Sequence, residues 1–354
     1  MSGIWRITAK GGIQQLQGHV PWTSGFDAVV DQWNTACPTA LTSGSTGVPV
    51  AHHFSMEAVQ ASAQATAQHF QLDRPSPEVV EAWSALPASG TGGRMMVWRA
   101  LALGWNLTVS MPSATPQVPA AGTPNGRYHF AVATPMQAAH LMASGQLRRF
   151  DILLLGGAPI APDLEADLKQ AADAAGCRIQ HGFGMTETLT HVATRTLGED
   201  AYGVLPDVHI DCTEEGALVI DAPRRGVQGL VTQDAVALLS DASLDPQGDK
   251  RAFSWLGRID DVINSGGLKL HPAALERQWC EMLGDILHER RWFIIGRPDN
   301  SLGSRVTLVV EGAIDSDLAQ QALQALSHEG NKRPRTVEFQ AVFKETASGK
   351  VRRT

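Results

Sequence analysis

The chain has 354 residues, of which 43% are hydrophobic and 18% charged, and its formal net charge is -7 at pH 7. This composition is typical of a globular protein and excludes a disordered or fibrous one. No apolar run reaches the roughly 18–20 residues of a membrane helix, and no basic run indicates a nucleic-acid surface. The N-terminal residues lack the apolar core of a signal peptide. The 4 cysteines form no metal-binding pattern. We therefore expect a cytoplasmic protein that binds neither nucleic acid nor membrane.

The first half of the chain predicts an α/β pattern. Before residue 37 we expect two helical pieces, around Phe26 and Trp33. A strand over 38–41 leads into a loop rich in glycine and hydroxyls, and a helix then begins after its N-cap, Ser55. Further strands are predicted at 83–86, 107–111, 129–133, 152–155 and 178–180, and helices at 94–103 and 162–175. This alternation favours a mostly parallel sheet that binds ligands at its strand ends.

The pattern changes after residue 200. Strands are predicted at 207–211 and 217–221, on either side of a hairpin signal, Glu214-Glu215-Gly216. From residue 261 a small α+β unit follows, with predicted helices at 272–283 and 315–327 and predicted strands at 292–295, 306–311 and 336–341. We therefore predict an α/β fold with a large N-terminal domain, residues 1–259, and a small mobile C-terminal domain, residues 260–354.

Two glycine-rich segments carry possible nucleotide chemistry. The first is Thr42-Ser43-Gly44-Ser45-Thr46-Gly47-Val48-Pro49, between a strand and a helix. Glycines let backbone N–H groups approach a phosphate, and hydroxyls donate further hydrogen bonds. The second is Gly182-Phe183-Gly184-Met185-Thr186-Glu187-Thr188, in which a ring suits a purine and a carboxylate suits Mg²⁺. Taken singly, the first segment also fits a flexible Ser/Gly turn, and the second fits an aromatic strand end with a capping Thr-Glu.

Two later segments suggest a moving domain. Residues 257–269, GRIDDVINSGGLK, place charges beside glycines and suit a hinge, although a surface hairpin would look the same. Near the C-terminus, Thr346-Ala347-Ser348-Gly349-Lys350 puts one lysine on a small-residue loop. That lysine could be a mobile catalytic cation or part of a basic tail.

Together, and in this order, the segments resemble those of the adenylate-forming superfamily, which includes acyl-CoA synthetases, luciferases and peptide-synthetase adenylation domains. The resemblance begins near residue 40 and continues to the C-terminus. Gly156-Gly157-Ala158-Pro159 and Thr232-Gln233-Asp234 match further family segments, at the pocket wall and at the ribose. The resemblance implies an enzyme that uses ATP, Mg²⁺ and CoA. A carboxylate attacks the α-phosphorus and releases pyrophosphate, and the CoA thiol then displaces AMP from the acyl-adenylate.

The resemblance also implies roles for single residues. Lys350, Thr186 and Glu187 are expected to be catalytic, and Glu187 is also expected to hold Mg²⁺. The expected ATP- and AMP-binding residues are Thr42, Ser43, Gly44, Ser45, Thr46, Gly47, Gly157, Phe183, Asp234 and Arg258. Asp260 is expected to be the hinge. Gly266, Gly267 and Lys269 are expected to contact CoA after the small domain rotates.

Two departures from the family pattern stand out. Val50 occupies the position after Pro49 where the family usually has lysine, which removes a cation near the β- and γ-phosphates. We expect backbone amides and Mg²⁺ to compensate. The segment before the phosphate loop is also short, so we expect an N-terminal subdomain of the family to be absent.

Several segments resemble the compact o-succinylbenzoate–CoA ligases of menaquinone biosynthesis. They are residues 86–105, 134–137, 185–195 and 255–272. Such a substrate carries a second, aromatic carboxylate that needs a cationic or hydrogen-bonding anchor, for which Arg94, His191 and Arg195 are candidates. Other aryl- or acyl-CoA ligases, a carrier-loading adenylation enzyme and a nucleotide-binding pseudoenzyme remain alternatives. We expect small-molecule partners and leave a homo-oligomer open.

Overall fold

The computed structural model describes residues 4–10, 12–17, 24–43, 49–73, 79–239, 252–288, 290–344 and 351–353. The chain divides into two compact units. The large unit comprises Met1–Asp211, Val219–Leu230 and Leu238–Phe253, and the small unit comprises Cys212–Leu218, Val231–Ala237 and Ser254–Thr354. The predicted domain boundary at residue 259 falls within Ser254–Thr354, the last segment of the small unit.

The strands are β1 (Ile4–Ile7), β2 (Ile13–Gln17), β3 (Thr39–Ser43), β4 (Pro49–His53), β5 (Glu81–Ser84), β6 (Asn106–Ser110), β7 (Phe130–Ala133), β8 (Ile152–Leu155), β9 (Arg178–Met185), β10 (Thr190–Thr196), β11 (Ala201–Val204), β12 (His209–Cys212), β13 (Ala217–Ala222), β14 (Val227–Leu239), β15 (Ala252–Arg258), β16 (Ile263–Ser265), β17 (Leu268–Leu270), β18 (Trp292–Asp299), β19 (Gly303–Glu311) and β20 (Thr336–Gln340). The helices are α1 (Ser24–Asn34), α2 (Met56–Phe70), α3 (Thr91–Leu103), α4 (Pro135–Ala143), α5 (Pro162–Ala175), α6 (Pro272–Leu287) and α7 (Ser316–Ala325).

The sheet of the large unit contains the strand order β11-β10-β9-β8-β7-β5-β6-β1-β2. Its central strands β6, β5, β7, β8 and β9 are parallel. The flanking strands β10 and β11, and β1 and β2, join it in antiparallel pairs. The mostly parallel α/β sheet predicted from the sequence is therefore confirmed.

Helices cover both faces of this sheet. Side chains alternate along each central strand, so Phe130 and Ile152 join one apolar core and Leu153 and Leu155 join the other. The first core packs against α1, α2 and α3, and the second against α4 and α5. The central strands have apolar side chains on both faces of the sheet, so a layer of helices is needed on each face to shield them from water.

The small unit has its own sheet and core. Its strand order is β17-β16-β19-β18, with β20 parallel to β19. Helices α6 and α7 pack on this sheet. Trp279, which is fully buried, lies in their shared core with Leu308 and Ala322. The predicted α+β character of this part of the chain is confirmed.

The N-terminal prediction is wrong in one respect. Phe26 and Trp33 belong to one helix, α1, rather than to two separate pieces. The residues before it form the hairpin β1–β2, in which β1 pairs antiparallel with β6, the last of the parallel strands. Ile4, Trp5 and Ile7 are buried there. A four-residue strand of this kind is stabilised by a partner far away in the sequence, which local pattern does not show.

Gly184 allows β9 and β10 to approach closely. A Cβ atom on Gly184 would lie 1.9 Å from the carbonyl oxygen of Thr190, which is backbone and cannot rotate away. We expect Gly184→Ala to lower the free energy of unfolding by roughly 1–3 kcal/mol, the usual cost of overpacking. Urea unfolding measures this loss. The matched control is Gly203→Ala on β11, where a Cβ meets only the Thr194 oxygen at 3.9 Å, and a loss as large in the control would contradict the steric explanation.

Candidate active site

The two ends of the predicted phosphate loop belong to a pair of strands. Strands β3 and β4 pair antiparallel, with Thr42 opposite Val50 and Ser43 opposite Pro49. Gly44, Ser45, Thr46, Gly47 and Val48 come between these strands in the sequence and lie outside the described residues. Strand β3 lies against α3 and against the short 3-10 helix Thr186–Thr188. The hairpin base therefore brings two separate glycine-rich segments of the sequence together.

The second segment forms a tight turn between β9 and β10, which we call the 186–190 turn. The Thr188 hydroxyl accepts from the Met185 amide at 3.1 Å and donates to the Thr190 carbonyl at 2.7 Å. The hydroxyls of Thr186 and Thr91, the latter at the start of α3, hydrogen-bond at 2.7 Å. The Glu187 side chain is 38% exposed, and its carboxylate lies 3.9 Å from the His52 ring on β4. Glu187 is thus the ionisable group that the turn presents to solvent.

A chain of hydrogen bonds positions the Gly156–Pro159 segment. His181 on β9 faces the Ala158 carbonyl at 3.2 Å, and because a carbonyl only accepts, Nε2 carries the proton. Its Nδ1 then accepts from the Tyr202 hydroxyl at 2.9 Å, and that hydroxyl accepts from Arg195 at 3.2 Å. Burial, aided by the nearby Arg195 charge, lowers the pKa of His181 to about 4. Neutral His181 thus fixes the loop after β8, where Gly157 has a φ of +86°.

Phe183, predicted to cover the base of the nucleotide, is half-buried in an aromatic group. Its ring makes edge contacts with Tyr202 and Phe253, with centroids 5.8 and 5.1 Å away. The rings of Tyr202 and Phe253 stack at 5.4 Å. The Phe183 ring is therefore held by packing, while one side of it remains partly accessible.

Arg99 is a buried cation that the sequence analysis missed. It is 1% exposed, its Nη2 donates to the Thr190 hydroxyl at 2.6 Å, and its Nε has no hydrogen-bond partner. No carboxylate among the described residues pairs with it. Burial and the nearby Arg225 charge lower its pKa to about 9. The signal was present in the sequence, because Arg99 is the one charge within the apolar stretch Met95–Leu103 of α3.

The predicted anchors for a second carboxylate have different surroundings. Arg195 forms a two-pronged ion pair with Glu165, with one N···O distance of 2.7 Å. Arg94 donates to the Gln32 side chain and the Thr39 carbonyl, both at 2.9 Å. His191 is buried 3.5 Å from Arg99, and burial with the nearby arginines holds its pKa well below its usual range. His191 is therefore a neutral hydrogen-bonding group beside a cation.

In the small unit, the predicted ribose and hinge residues lie on β14, β15 and the segment that follows. Asp234 accepts a hydrogen bond from the Trp255 ring at 2.9 Å, which orients its carboxylate. Arg258 and Asp260 are exposed and form an ion pair at 3.2 Å. Exposed pairs of this kind add little stability, so both side chains are free to exchange partners.

The predicted CoA residues form the tip of the β16–β17 hairpin. Gly266 and Gly267 have φ values of +56° and +85°, as the two central residues of a type I′ turn require. Lys269 follows on β17 and is exposed. The glycines are therefore explained by the turn itself, and the lysine is available at the surface.

Lys350 lies outside the described residues, but residues on both sides of it are described. The Arg352 amide donates to the Lys344 carbonyl at 2.7 Å, which joins the two ends of the intervening segment. Arg353 forms a two-pronged ion pair with Glu276 of α6, with both distances 2.7 Å. The chain that bears Lys350 is thus attached to the small unit at both ends.

The described residues contain no group of three or more His, Cys, Asp or Glu side chains that could hold a metal ion. Mg²⁺ commonly uses only one or two protein carboxylates together with substrate phosphates. Glu187, with its half-exposed carboxylate beside the base of the predicted phosphate loop, fits that coordination. Among the same residues, none of the helices combines the length and hydropathy that crossing a membrane requires.

The comparisons with known proteins agree with this geometry. A model of the AMP-binding enzyme family, described as "AMP-binding enzyme", matches residues 17–229. The chain therefore belongs to the AMP-binding enzyme family, and the resemblance to adenylate-forming enzymes is confirmed. Within this family the chain is an enzyme of the AMP-forming acyl-CoA synthetase class.

Particular relatives are similar but distant. A 2-succinylbenzoate–CoA ligase of Enterococcus faecalis is 26% identical over 339 residues, which cover 88% of this chain and 67% of the relative. A feruloyl-CoA synthase of Amycolatopsis is 28% identical over 254 residues, covering 63% of this chain and 49% of the relative. A solved acyl-CoA synthetase (AMP-forming)/AMP-acid ligase II-like protein from Dyadobacter fermentans is 26% identical, with a TM-score of 0.61. The aligned region covers 99% of this chain and 97% of the solved chain.

The low pKa of His181 predicts acid sensitivity. A histidine titrating near 4 when folded and near 6.5 when unfolded binds more protons unfolded, so its stabilisation is lost as pH falls from about 6.5 to 4. Between pH 7 and pH 5 this amounts to about 2 kcal/mol. Urea unfolding at both pH values should show a smaller loss for His181→Gln than for the wild type. The exposed His209→Gln is the control, and equal losses in wild type and His181→Gln would rule this cause out.

Proposed function

We propose that this protein is an ATP-dependent ligase that converts o-succinylbenzoate to o-succinylbenzoyl-CoA through an acyl-adenylate, as in menaquinone biosynthesis. The observation that carries the choice of substrate is Arg99, a buried cation with no described carboxylate partner, which lies beside the 186–190 turn. The similarity to 2-succinylbenzoate–CoA ligase supports the same choice. We further propose that the enzyme works in the cytoplasm.

The first half-reaction brings together two negatively charged reactants. The substrate carboxylate must approach the α-phosphorus of ATP, so positive charge and donors are needed where negative charge gathers. We assign the triphosphate to the amides and hydroxyls of residues 42–47, next to Thr186. Glu187 would hold Mg²⁺, which supplies positive charge at the phosphates when bound. Gly157 and Phe183 would contact the adenine, and Asp234 and Arg258 the ribose.

Arg99 is assigned to the second carboxylate of the substrate. A buried guanidinium without a counter-ion is costly, and a substrate carboxylate would remove that cost on binding. Thr190 and neutral His191 lie beside it and offer further hydrogen bonds. Arg195 is already paired with Glu165, and Arg94 already donates to Gln32 and Thr39. We therefore rank Arg99, with His191 as its neighbour, above Arg94 and Arg195.

The small unit would serve both half-reactions. Lys350 would bridge the substrate carboxylate and the α-phosphate in the first. Rotation about Asp260 would then withdraw it and present Gly266, Gly267 and Lys269 to CoA. The attachment of the chain at Lys344 and Arg353 supports this assignment, because a lysine on a short tethered segment moves with its domain.

An aryl-CoA ligase for a monocarboxylic acid is the second candidate, and the feruloyl-CoA synthase relative favours it. Pyrophosphate release measured with o-succinylbenzoate and with ferulate separates the two. Product analysis with CoA and with a carrier phosphopantetheine then identifies the acceptor. The proposal predicts pyrophosphate and a CoA thioester with o-succinylbenzoate. A preference for ferulate would replace it with the second candidate.

Removing Arg99 should abolish the preference for a second carboxylate. For Arg99→Met we expect kcat/KM with o-succinylbenzoate to fall about tenfold to a few hundredfold, the cost of an unpaired buried group. Activity with an analogue lacking the aromatic carboxylate should change little. The matched control is Arg195→Met, which should lose stability with its Glu165 pair yet keep the preference. Loss of the preference in Arg195→Met alone would move the anchor to Arg195.

Lys350→Ala should separate the two half-reactions. We expect adenylate formation to be mostly lost, because the cation between carboxylate and phosphate is gone, whereas thioester formation from supplied acyl-adenylate should persist. Pyrophosphate release and single-turnover thioester formation measure the two steps. Lys344→Ala is the control, because its exposed side chain lies outside the proposed chemistry. Equal loss of both steps would refute this division of labour.

A further inference from the structure

The 186–190 turn has a strained backbone. Leu189 and Thr190 have φ values of +57° and +102°, although neither residue is glycine. Side chains with a Cβ atom rarely adopt this region, and consecutive residues there persist only when the surroundings hold them. The turn therefore needs restraint from the protein around it, because the Thr188 hydrogen bonds stay within the turn.

Arg225 supplies that restraint from another part of the chain. It ends the short 3-10 helix Pro223–Arg225 that follows β13. Its Nη1 donates to the His191 carbonyl at 2.9 Å and to the Thr188 carbonyl at 3.4 Å. Ser62 of α2 donates to the intervening Leu189 carbonyl at 3.3 Å. Three carbonyl groups around the strained residues thus have donors from outside the turn.

Asp207 fixes the orientation of Arg225. The Nε and Nη2 atoms of Arg225 donate to the two carboxylate oxygens of Asp207 at 2.8 and 2.7 Å. The Arg225 side chain is 0% exposed and that of Asp207 is 6% exposed. Apolar residues would fill such a space without the cost of burying charge, and a buried pair of this kind instead supplies a defined geometry. Because one edge of the guanidinium is held by Asp207, the other edge points at the turn.

We infer that Arg225 and Asp207 are a positioning pair for the active site. This inference rests on the proposed function, since the turn carries Thr186 and Glu187 at one end and the Arg99 partner Thr190 at the other. Arg225 and Asp207 are both buried and bond the turn and each other, so their proposed role is to position other residues. By holding the turn, the pair sets the Mg²⁺-binding carboxylate and the anchor for the second substrate carboxylate at once.

Arg225→Lys tests this inference, because lysine keeps the charge and loses the two-edged fork. We expect amide hydrogen exchange at residues 186–191 of the ligand-free protein to rise by roughly tenfold or more, with β7 and β8 unchanged. The Mg²⁺ concentration for half-maximal pyrophosphate release should rise, and kcat should fall by roughly tenfold to a hundredfold. The matched control is Arg224→Lys, at an exposed neighbour that donates to Gln64, and it should behave as wild type.

Asp207→Asn repeats the test with little change in volume, and it decides the question if Arg225→Lys does not fold. Unchanged exchange at the turn and an unchanged Mg²⁺ requirement in a folded variant would overturn the inference. A general loss of stability with the same kinetic constants per folded molecule would overturn it as well. Were the wild type to release no pyrophosphate with any acid, the proposed function would fail, and hydrogen exchange at the turn would still decide whether the pair holds it.

Discussion

Two buried guanidinium groups lie close to the 186–190 turn, and only one of them faces a described carboxylate. Arg225 is neutralised by Asp207, so its charge is compensated within the protein. Arg99 has a hydroxyl and a neutral histidine beside it, and its pKa is lowered to about 9 by burial and by Arg225 itself. Burying a charge without a counter-ion lowers the free energy of unfolding, and this is the expense at which Arg99 is kept in the fold. Under the proposed function, a substrate carboxylate removes that expense, so the compensated arginine has a structural role and the uncompensated one a binding role.

The sheet explains why these groups meet at one place. The parallel strands end at a common edge, and β9 continues beyond its parallel neighbour β8 to pair antiparallel with β10. The reversal occurs at the 186–190 turn, beside α3, which carries Thr91 and Arg99, and beside β3, which leads into the predicted phosphate loop. Gly184 makes the reversal compact, because any side chain there would meet the Thr190 backbone. Candidate site residues of α3, β3 and the 186–190 turn are therefore distant in sequence and adjacent at the end of the sheet.

Local signals predicted the elements that are stabilised locally. The bounds of α5 follow from Pro162 at its start and Gly176 at its end, and the helix after Ser55 follows from that N-cap, whose hydroxyl accepts from the Ala58 amide. Strand β1 pairs with β6, about a hundred residues along the chain, so no local pattern indicated it. Arg99 was missed for a related reason. A single charge in an apolar helix resembles a surface residue until the neighbouring elements bury it.

The distribution of positive charge bears on how such a site would handle ATP. Val50 leaves β4 without the usual lysine beside the phosphate loop, and alternate residues on a strand share a face, so His52 is the next side chain on that face. His52 lies 3.9 Å from Glu187, the carboxylate proposed to hold Mg²⁺. Under the proposed function, Mg²⁺ and Lys350 would supply the positive charge at the phosphates. Lys350 belongs to the small unit, so under the proposed function an enzyme without the loop lysine would depend more strongly on Lys350 for adenylate formation. Under the same proposal, the ion pair between Arg353 and Glu276 would matter for catalysis, because it holds the residue three positions after Lys350 against α6.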